Sequence, residues 1–370
     1  MKLLAAVLLC TIVTTPIFAM DLDFYIGTYT KTGKSQGIYR ATLNTDTGAC
    51  SAPVLAAEVN NPTFLVLHPD GKHLYAAAER GTGAVAGFAI EADGKLRALG
   101  EEPFEGRGNC HVYVDSTGKY VFSANYGSGS IAMVPIKADG TPGDPAVVIQ
   151  HVGSGPNPDR QKEPHAHSVY QKGGFLYSCD LGTDDIFVYK FDAAKGTLTP
   201  NDPPSAKVPP GGGPRHIAFH PKGGFAYVNN EMGNSVTAFA WDAAKGTMTQ
   251  LQTITTLPAD YADAAKSSTA ESFCHPNGKF LYVSNRGHDS IAVYAIGADG
   301  KLTNIEYAPA HVNGPRGFNL TPDGAWLVAG GQTSDNLAVH KVDPATGKLT
   351  FVTEVKGVGA PVSIEFVPKK

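Results

Sequence analysis

The chain has 370 residues, of which 42 are Gly, 26 are Pro and only 17% are charged, so it can bury a full core and suits many short strands joined by tight turns. Its net charge is −4 and no Lys/Arg cluster stands out, which argues against a nucleic-acid-binding surface. The four cysteines beyond the N-terminal segment, Cys50, Cys110, Cys179 and Cys274, match no metal-ligand spacing and read as buried thiols.

In chain order, the first element is a short basic start, Met1-Lys2, followed by an apolar run from Leu3 to Val13 that is too short to span a bilayer. The stretch Thr14-Thr15-Pro16-Ile17-Phe18-Ala19 then offers a cleavage site after Ala19, completing the pattern of a cleavable signal peptide over residues 1–19. Residues 20–370 are then expected as one exported domain, periplasmic or secreted, without membrane contact once the leader is removed. Cys10 lies inside the apolar run rather than after it, so a lipid anchor is not expected.

From Leu22 onward the pattern is β and repeats. The stretches HPDGKHLYAAAE from His68, HPKGGFAYVNNE from His220, HPNGKFLYVSNR from His275 and TPDGAWLVAGGQ from Thr321 are copies of one unit, with weaker copies from Asp115 and Tyr170. Each is a turn followed by a short apolar strand. A second alternating strand comes next, such as SVTAFAWD from Ser235 or SIAVYAIG from Ser290, and then a Gly-containing turn and a further strand. Equivalent positions Tyr25, Tyr75, Phe122, Tyr177, Tyr227, Tyr282 and Val328 recur at intervals of 46–55 residues, the size of a four-stranded propeller blade. The first unit, LDFYIGTYT from Leu22, lacks its own first strand. That strand reappears at the other end as GAPVSIEFVP from Gly359, which matches NPTFLVLHP, GPRHIAFHP and GPRGFNLTP. The prediction is an all-β, seven-bladed β-propeller whose last strand completes the first blade and closes the ring, removing free sheet edges.

With strands A to D running outward from the channel, the start of A and the end of B share one end of each blade. Arg215 and His216 start strand A of the fifth unit and Glu231 ends its strand B, so all three are expected at one mouth. Aligned by repeat, the position of Arg215 holds Thr63, Cys110, His165, Ala270, Arg316 and Val362 in the other units. The next position holds Glu271 in the sixth unit, and the position of Glu231 holds Arg286 and Gln332 in the sixth and seventh. Identical repeats would keep these positions alike; here charge gathers in the fourth to seventh units. The long polar loop GSGPNPDRQKEPHAHS from Gly153 is placed to wall one side. His165 and His167 are two apart and point the same way along a strand. They read either as channel-lining histidines or as a His-x-His metal pair that lacks a clear third ligand. The three arginines read either as partners of the carboxylates or as an anion site. The recurring Asn125, Asp180, Asn230 and Asn285 read as turn residues.

At PHAHS, GPRHIAFHP, YVNNEMGNSV, LYVSNRGHDSIAVY and GPRGFNLTPDG with its AGGQ, the sequence resembles the lactonase family of seven-bladed propellers, which includes bacterial 6-phosphogluconolactonase and to which the fungal carboxymuconate-lactonizing enzyme is similar. The resemblance spans nearly the whole mature chain. It implies a cofactor-free hydrolase opening a small-molecule sugar lactone, with His165 or His167, Arg215, Glu231 and Arg286 as the active-site set; no metal is expected, since the histidine pair lacks a clear third ligand. The expected roles are Glu231 as general base, a His as acid or orienting partner, and Arg215 or Arg286 on the oxyanion. Arg286, His216, Glu271, Arg316, Asn319 and Gln332 are expected to contact the substrate, an anion given the arginines, and the working unit is expected to be a monomer. Phe273 replaces a His that family members carry there. A non-catalytic exported binding module and a lactonizing enzyme are the competing readings.

Overall fold

The computed structural model describes residues 21–79 and 81–368, so the expected signal peptide lies outside the described residues. Every strand belongs to one of seven four-stranded antiparallel sheets. Blade one takes its innermost strand from the C-terminal end, Pro361–Phe366, and the rest from Asp21–Thr28, Gly37–Asn44 and Val54–Glu58. The closing strand also packs on the inner strands of its neighbours, blades two and seven, so the ring shuts as predicted.

Alternation within each strand fills the space between neighbouring blades. Phe24, Ile26, Leu43, Ile364 and Phe366 of blade one, for example, pack with Trp326, Val328 and Val339 of blade seven. The recurring strand-B tyrosine adds a polar tie at three seams: Tyr25, Tyr75 and Tyr282 are buried and donate their hydroxyls to the carbonyls of Gly94, Gly140 and Gly347 in the outer turn of the following blade. Gly347 shows why that turn needs glycine. Its φ is +75°, and a Cβ there would lie 2.6 Å from the Phe280 ring of the preceding blade.

The histidines of the His-Pro turns do the same at the opposite mouth. In His68, His220 and His275, Nδ1 accepts a backbone N–H two residues on, so Nε2 carries the proton and donates to Gly118, Gly278 and Gly324 of the next blade. The recurrent Asn125, Asn230 and Asn285 are buried and donate to Ser130, Ser235 and Ser290, fixing the B–C corner. The four described cysteines are unpaired thiols.

Candidate active site

The mouth owes its chemistry to a defect that the blades share. Strand A is interrupted by an extra residue near its start in blades three, four, five and seven, between Asn109 and His111, Ala166 and Ser168, Pro214 and His216, and Pro315 and Gly317. A bulge leaves one residue out of the ladder and re-aims its side chain. The bulged residues are Cys110, His167, Arg215 and Arg316.

This register corrects the sequence alignment at blade four. The position equivalent to Arg215 is His167, not His165. In most blades the A–B turn has four residues, as between His220 and Phe225 or His275 and Phe280. In blade four Lys172 pairs directly with Phe175, so only Gly173 and Gly174 form the turn. The shorter hairpin slides strand A by two residues. His165 precedes the strand, stacked on Tyr126 at 4.6 Å between ring centroids, with Nδ1–H donating to the Tyr126 carbonyl at 2.9 Å.

A cleft of about 390 Å³ opens at this mouth, and Tyr29, Cys110, Tyr126, Arg160, His167, Glu231 and Arg316 are among the residues lining it. At its base Glu231 is caged by guanidinium groups. Arg215 Nε lies 3.1 Å and Arg286 Nη2 3.1 Å from Oε2, and Arg160 Nη2 lies 3.0 Å from Oε1. His167 Nε2 is 3.8 Å from Oε2. Burial pushes the Glu231 carboxyl up, but Arg286, Arg215 and Arg316 with the Arg160 bond outweigh it and hold the group down at about 2. The same burial and the same arginines keep His167 neutral, well below the ordinary imidazole value. Burial, Arg316 and Arg286 lower Arg215 to about 10, which leaves it charged near neutral pH.

Behind Arg215 lies a second layer. His216 and Glu271 are buried and do not line the cleft, contrary to the expected substrate contacts; Arg215 and Arg286 also stand behind its lining, reaching it through Glu231. His216 Nδ1 is 2.6 Å from Glu271 Oε1 and its Nε2 is 3.2 Å from Arg215 Nη1. Asn319 also lies away from the cleft: it sits deeper on strand A of blade seven, donating to the Ile364 carbonyl and accepting from the Leu320 N–H. Gln332 follows strand B of that blade, where its backbone N–H bonds Gly314, and it does not line the cleft. Phe273 packs edge-on against Phe318 and lines a separate cavity in the lower channel, so the replaced histidine does not alter this mouth.

Arg160 is the residue that sequence reasoning missed. Its loop was legible as a wall, but one arginine among exposed polar residues carries no periodic signal. Buried Gln161 anchors the loop, donating to the Leu181 carbonyl and Asp184 and accepting the Asn157 N–H. Asn157 in turn accepts the Arg160 N–H, and Arg160 reaches both Glu231 and the Tyr126 hydroxyl. Counting Arg316, which stands over the Tyr29 ring at 5.4 Å, four guanidiniums surround one carboxylate. Such a mouth favours an anion and repels a metal cation. Among the described residues, one group with metal-ligand geometry, His68, Asp70 and His73, lies at the opposite mouth, and both ring nitrogens of His68 already hold backbone bonds.

Seven four-stranded blades closed into one ring define a seven-bladed β-propeller. The profile of the family described as "Lactonase, 7-bladed beta-propeller" matches residues 23–366, and the chain belongs to this family. It is 36% identical to the 6-phosphogluconolactonase of Bacillus subtilis over 348 residues, 93% of this chain and 97% of that protein. Among solved structures it is similar to a putative 6-phosphogluconolactonase from Bacteroides fragilis, with a TM-score of 0.87 and 34% identity over 96% of this chain and 99% of the other. It is equally similar to the periplasmic gluconolactonase PpgL of Pseudomonas aeruginosa, with a TM-score of 0.88 and 31% identity over 94% and 99% of the two chains.

Proposed function

We propose that the protein is an exported hydrolase that opens an anionic sugar lactone, of the 6-phosphogluconolactone type, at this mouth. The observation that carries the reading is the pairing of neutral His167 with caged Glu231 in a cleft that Arg316 also lines. The names of the similar proteins support the reaction class, and the leader-like N-terminus together with the periplasmic relative supports export.

The surroundings favour a division of labour different from the one the sequence suggests. A carboxyl held at about 2 and bonded by three arginines is a weak base. Burial and the same arginines lower the proton affinity of His167 too, but no guanidinium is bonded to it, and it lines the cleft 3.8 Å from the Glu231 carboxylate that would stabilise its charged form. A water donating to both His167 Nε2 and Glu231 Oε2 would sit about 2.8 Å from each, a normal hydrogen-bond length. In the proposed step, His167 takes one proton as the water oxygen attacks the lactone carbonyl. Glu231 stabilises the imidazolium, and Arg286 or Arg215 receives the charge that develops on the carbonyl oxygen. The ring C–O bond then breaks, and His167 returns the proton to the leaving alkoxide. Arg316 and Arg160 are left to hold the substrate's anionic group.

The test is proton release from glucono-, galactono- and 6-phosphogluconolactone, with spontaneous hydrolysis subtracted, using the mature chain with and without chelator. His167→Gln is expected to lose about 10²–10⁴-fold in kcat, the range for a lost general base. Glu231→Gln should lose less, and chelator should have no effect. Turnover by His167→Gln at the wild-type rate would remove it as the base. No turnover of any lactone by the wild-type chain would move the reading to a binding module.

A further inference from the structure

We propose that Glu271 and His216 form a buried relay that positions Arg215 for catalysis, an inference that rests on the lactonase reading. Hydrogen-bond direction fixes the relay. An arginine only donates, so the contact from Arg215 Nη1 makes His216 Nε2 an acceptor. A neutral imidazole with a bare Nε2 carries its proton on Nδ1, and that N–H points at Glu271 Oε1 at 2.6 Å. The same oxygen accepts the Ser272 N–H at 2.9 Å, which fixes the carboxyl.

The relay accounts for most of the donors on Arg215. Nε–H goes to Glu231, and the two Nη1 donors go to His216 Nε2 and the Ala270 carbonyl. The two Nη2 donors have no hydrogen-bond partner among the described residues. Three fixed bonds in one plane leave the guanidinium no freedom to rotate, and the remaining pair is presented in a single direction. Both ring nitrogens of His216 are engaged, with Arg215 and Glu271, and Glu271 Oε1 holds His216 and the Ser272 N–H, whereas the equally buried Arg215 keeps its Nη2 donors free among the described residues. Glu271 and His216 are positioning residues.

The surroundings also disfavour a buried ion pair: burial and the nearby arginines keep His216 neutral, and burial raises the Glu271 carboxyl to about 8. The groups that bear on Glu271 are Arg215 and His216 of blade five, Tyr170 of blade four and Arg316 of blade seven. His216 also meets the rings of His111 and His167 edge-on, at 5.2 and 5.4 Å between centroids.

Glu271→Gln keeps an acceptor for both N–H groups, whereas Glu271→Leu removes it. Glu271→Leu is expected to lower kcat by about 10–100-fold, the scale of a misplaced catalytic group, with KM changed by less than about threefold. Glu271→Gln should recover to within about fivefold of wild type. Melting temperatures are read alongside, because a merely structural role would lower stability without this split between kcat and KM. A wild-type kcat in Glu271→Leu, or equal losses in the two variants, would overturn the relay. If Glu271→Leu does not fold, ¹⁵N NMR of histidine-labelled wild-type protein decides, with His216→Gln identifying the signal. The relay requires His216 protonated at Nδ1 and bare at Nε2, and either the Nε2–H tautomer or an imidazolium near neutral pH would overturn it. Absence of lactone turnover in the wild-type chain would sink the lactonase reading while leaving the NMR result to judge the relay.

Discussion

At the scale of the residue, two buried glutamates a few ångströms from the same arginine are driven in opposite directions. Glu231 has three guanidiniums within hydrogen-bond reach, and their charge outweighs its desolvation. Glu271 faces a neutral imidazole, so desolvation wins. Linkage then gives each a pH signature. Glu231 falls from an ordinary 4.5 to about 2 on folding, so its stabilisation is present above 4.5 and is lost as pH drops toward 2. Glu271 rises from 4.5 to about 8, so the folded state holds the extra proton, and its contribution is lost as pH climbs through that window. Melting curves should therefore show Glu231→Gln most destabilised near neutral pH, with the gap to wild type closing below about pH 4. Glu271→Gln should draw ahead of wild type as pH rises from about 4.5 to about 8, keep a constant lead above that, and differ little below about 4.5. Parallel pH profiles for the two variants would refute the opposed shifts. The sequence places both acids at the mouth, but the partners that set their protonation come from other blades.

At the scale of the element, the site depends on bulges, a hairpin length and one anchored loop. The two-glycine turn of blade four brings His167 rather than His165 to the cleft. Without a register, a repeat alignment cannot see this, because the glycines of that turn match the longer turns of the other blades. The loop that carries Arg160 hangs on Gln161, whose amide meets three partners. Replacing it by Ala leaves buried polar groups unpaired, at a cost of about 1–3 kcal/mol. Gln161→Ala is accordingly expected to raise KM for a phosphorylated lactone more than for gluconolactone, since Arg160 loses its fixed place. Steady-state kinetics on the two substrates test this, and an unchanged KM ratio would show that Arg160 does not hold the anionic group.

At the scale of the whole molecule, the overall charge of −4 and the four guanidiniums at one mouth are in contrast. A positive cleft in a low-dielectric wall concentrates field lines and draws in an anion faster than diffusion to a neutral patch would. Salt screens this attraction over about 10 Å at 0.1 M. For an anionic lactone, kcat/KM should thus fall as ionic strength rises, while the value for neutral gluconolactone stays nearly flat. Equal salt dependence for the two would mean that the arginines serve Glu231 alone. The ring makes this arrangement durable. Blades one and seven share a core, and the C-terminal strand supplies Ile364 and Phe366 to it.

The sequence by itself determined the blade count, the four-strand unit, the closing strand and the mouth at which Arg215, Glu231 and Arg286 meet. These follow from periodicity, turn residues and the antiparallel return of strand B, which are local and repeat along the chain. Only the tertiary structure decided which histidine enters the cleft, that Arg160 completes the cage, that His216 and Glu271 lie behind Arg215, and that Asn319 holds the seam to blade one. Each of those depends on a bulge, a turn length or a contact between blades far apart in sequence. Protonation follows the same rule, because it is set by charges that converge only once the ring has closed.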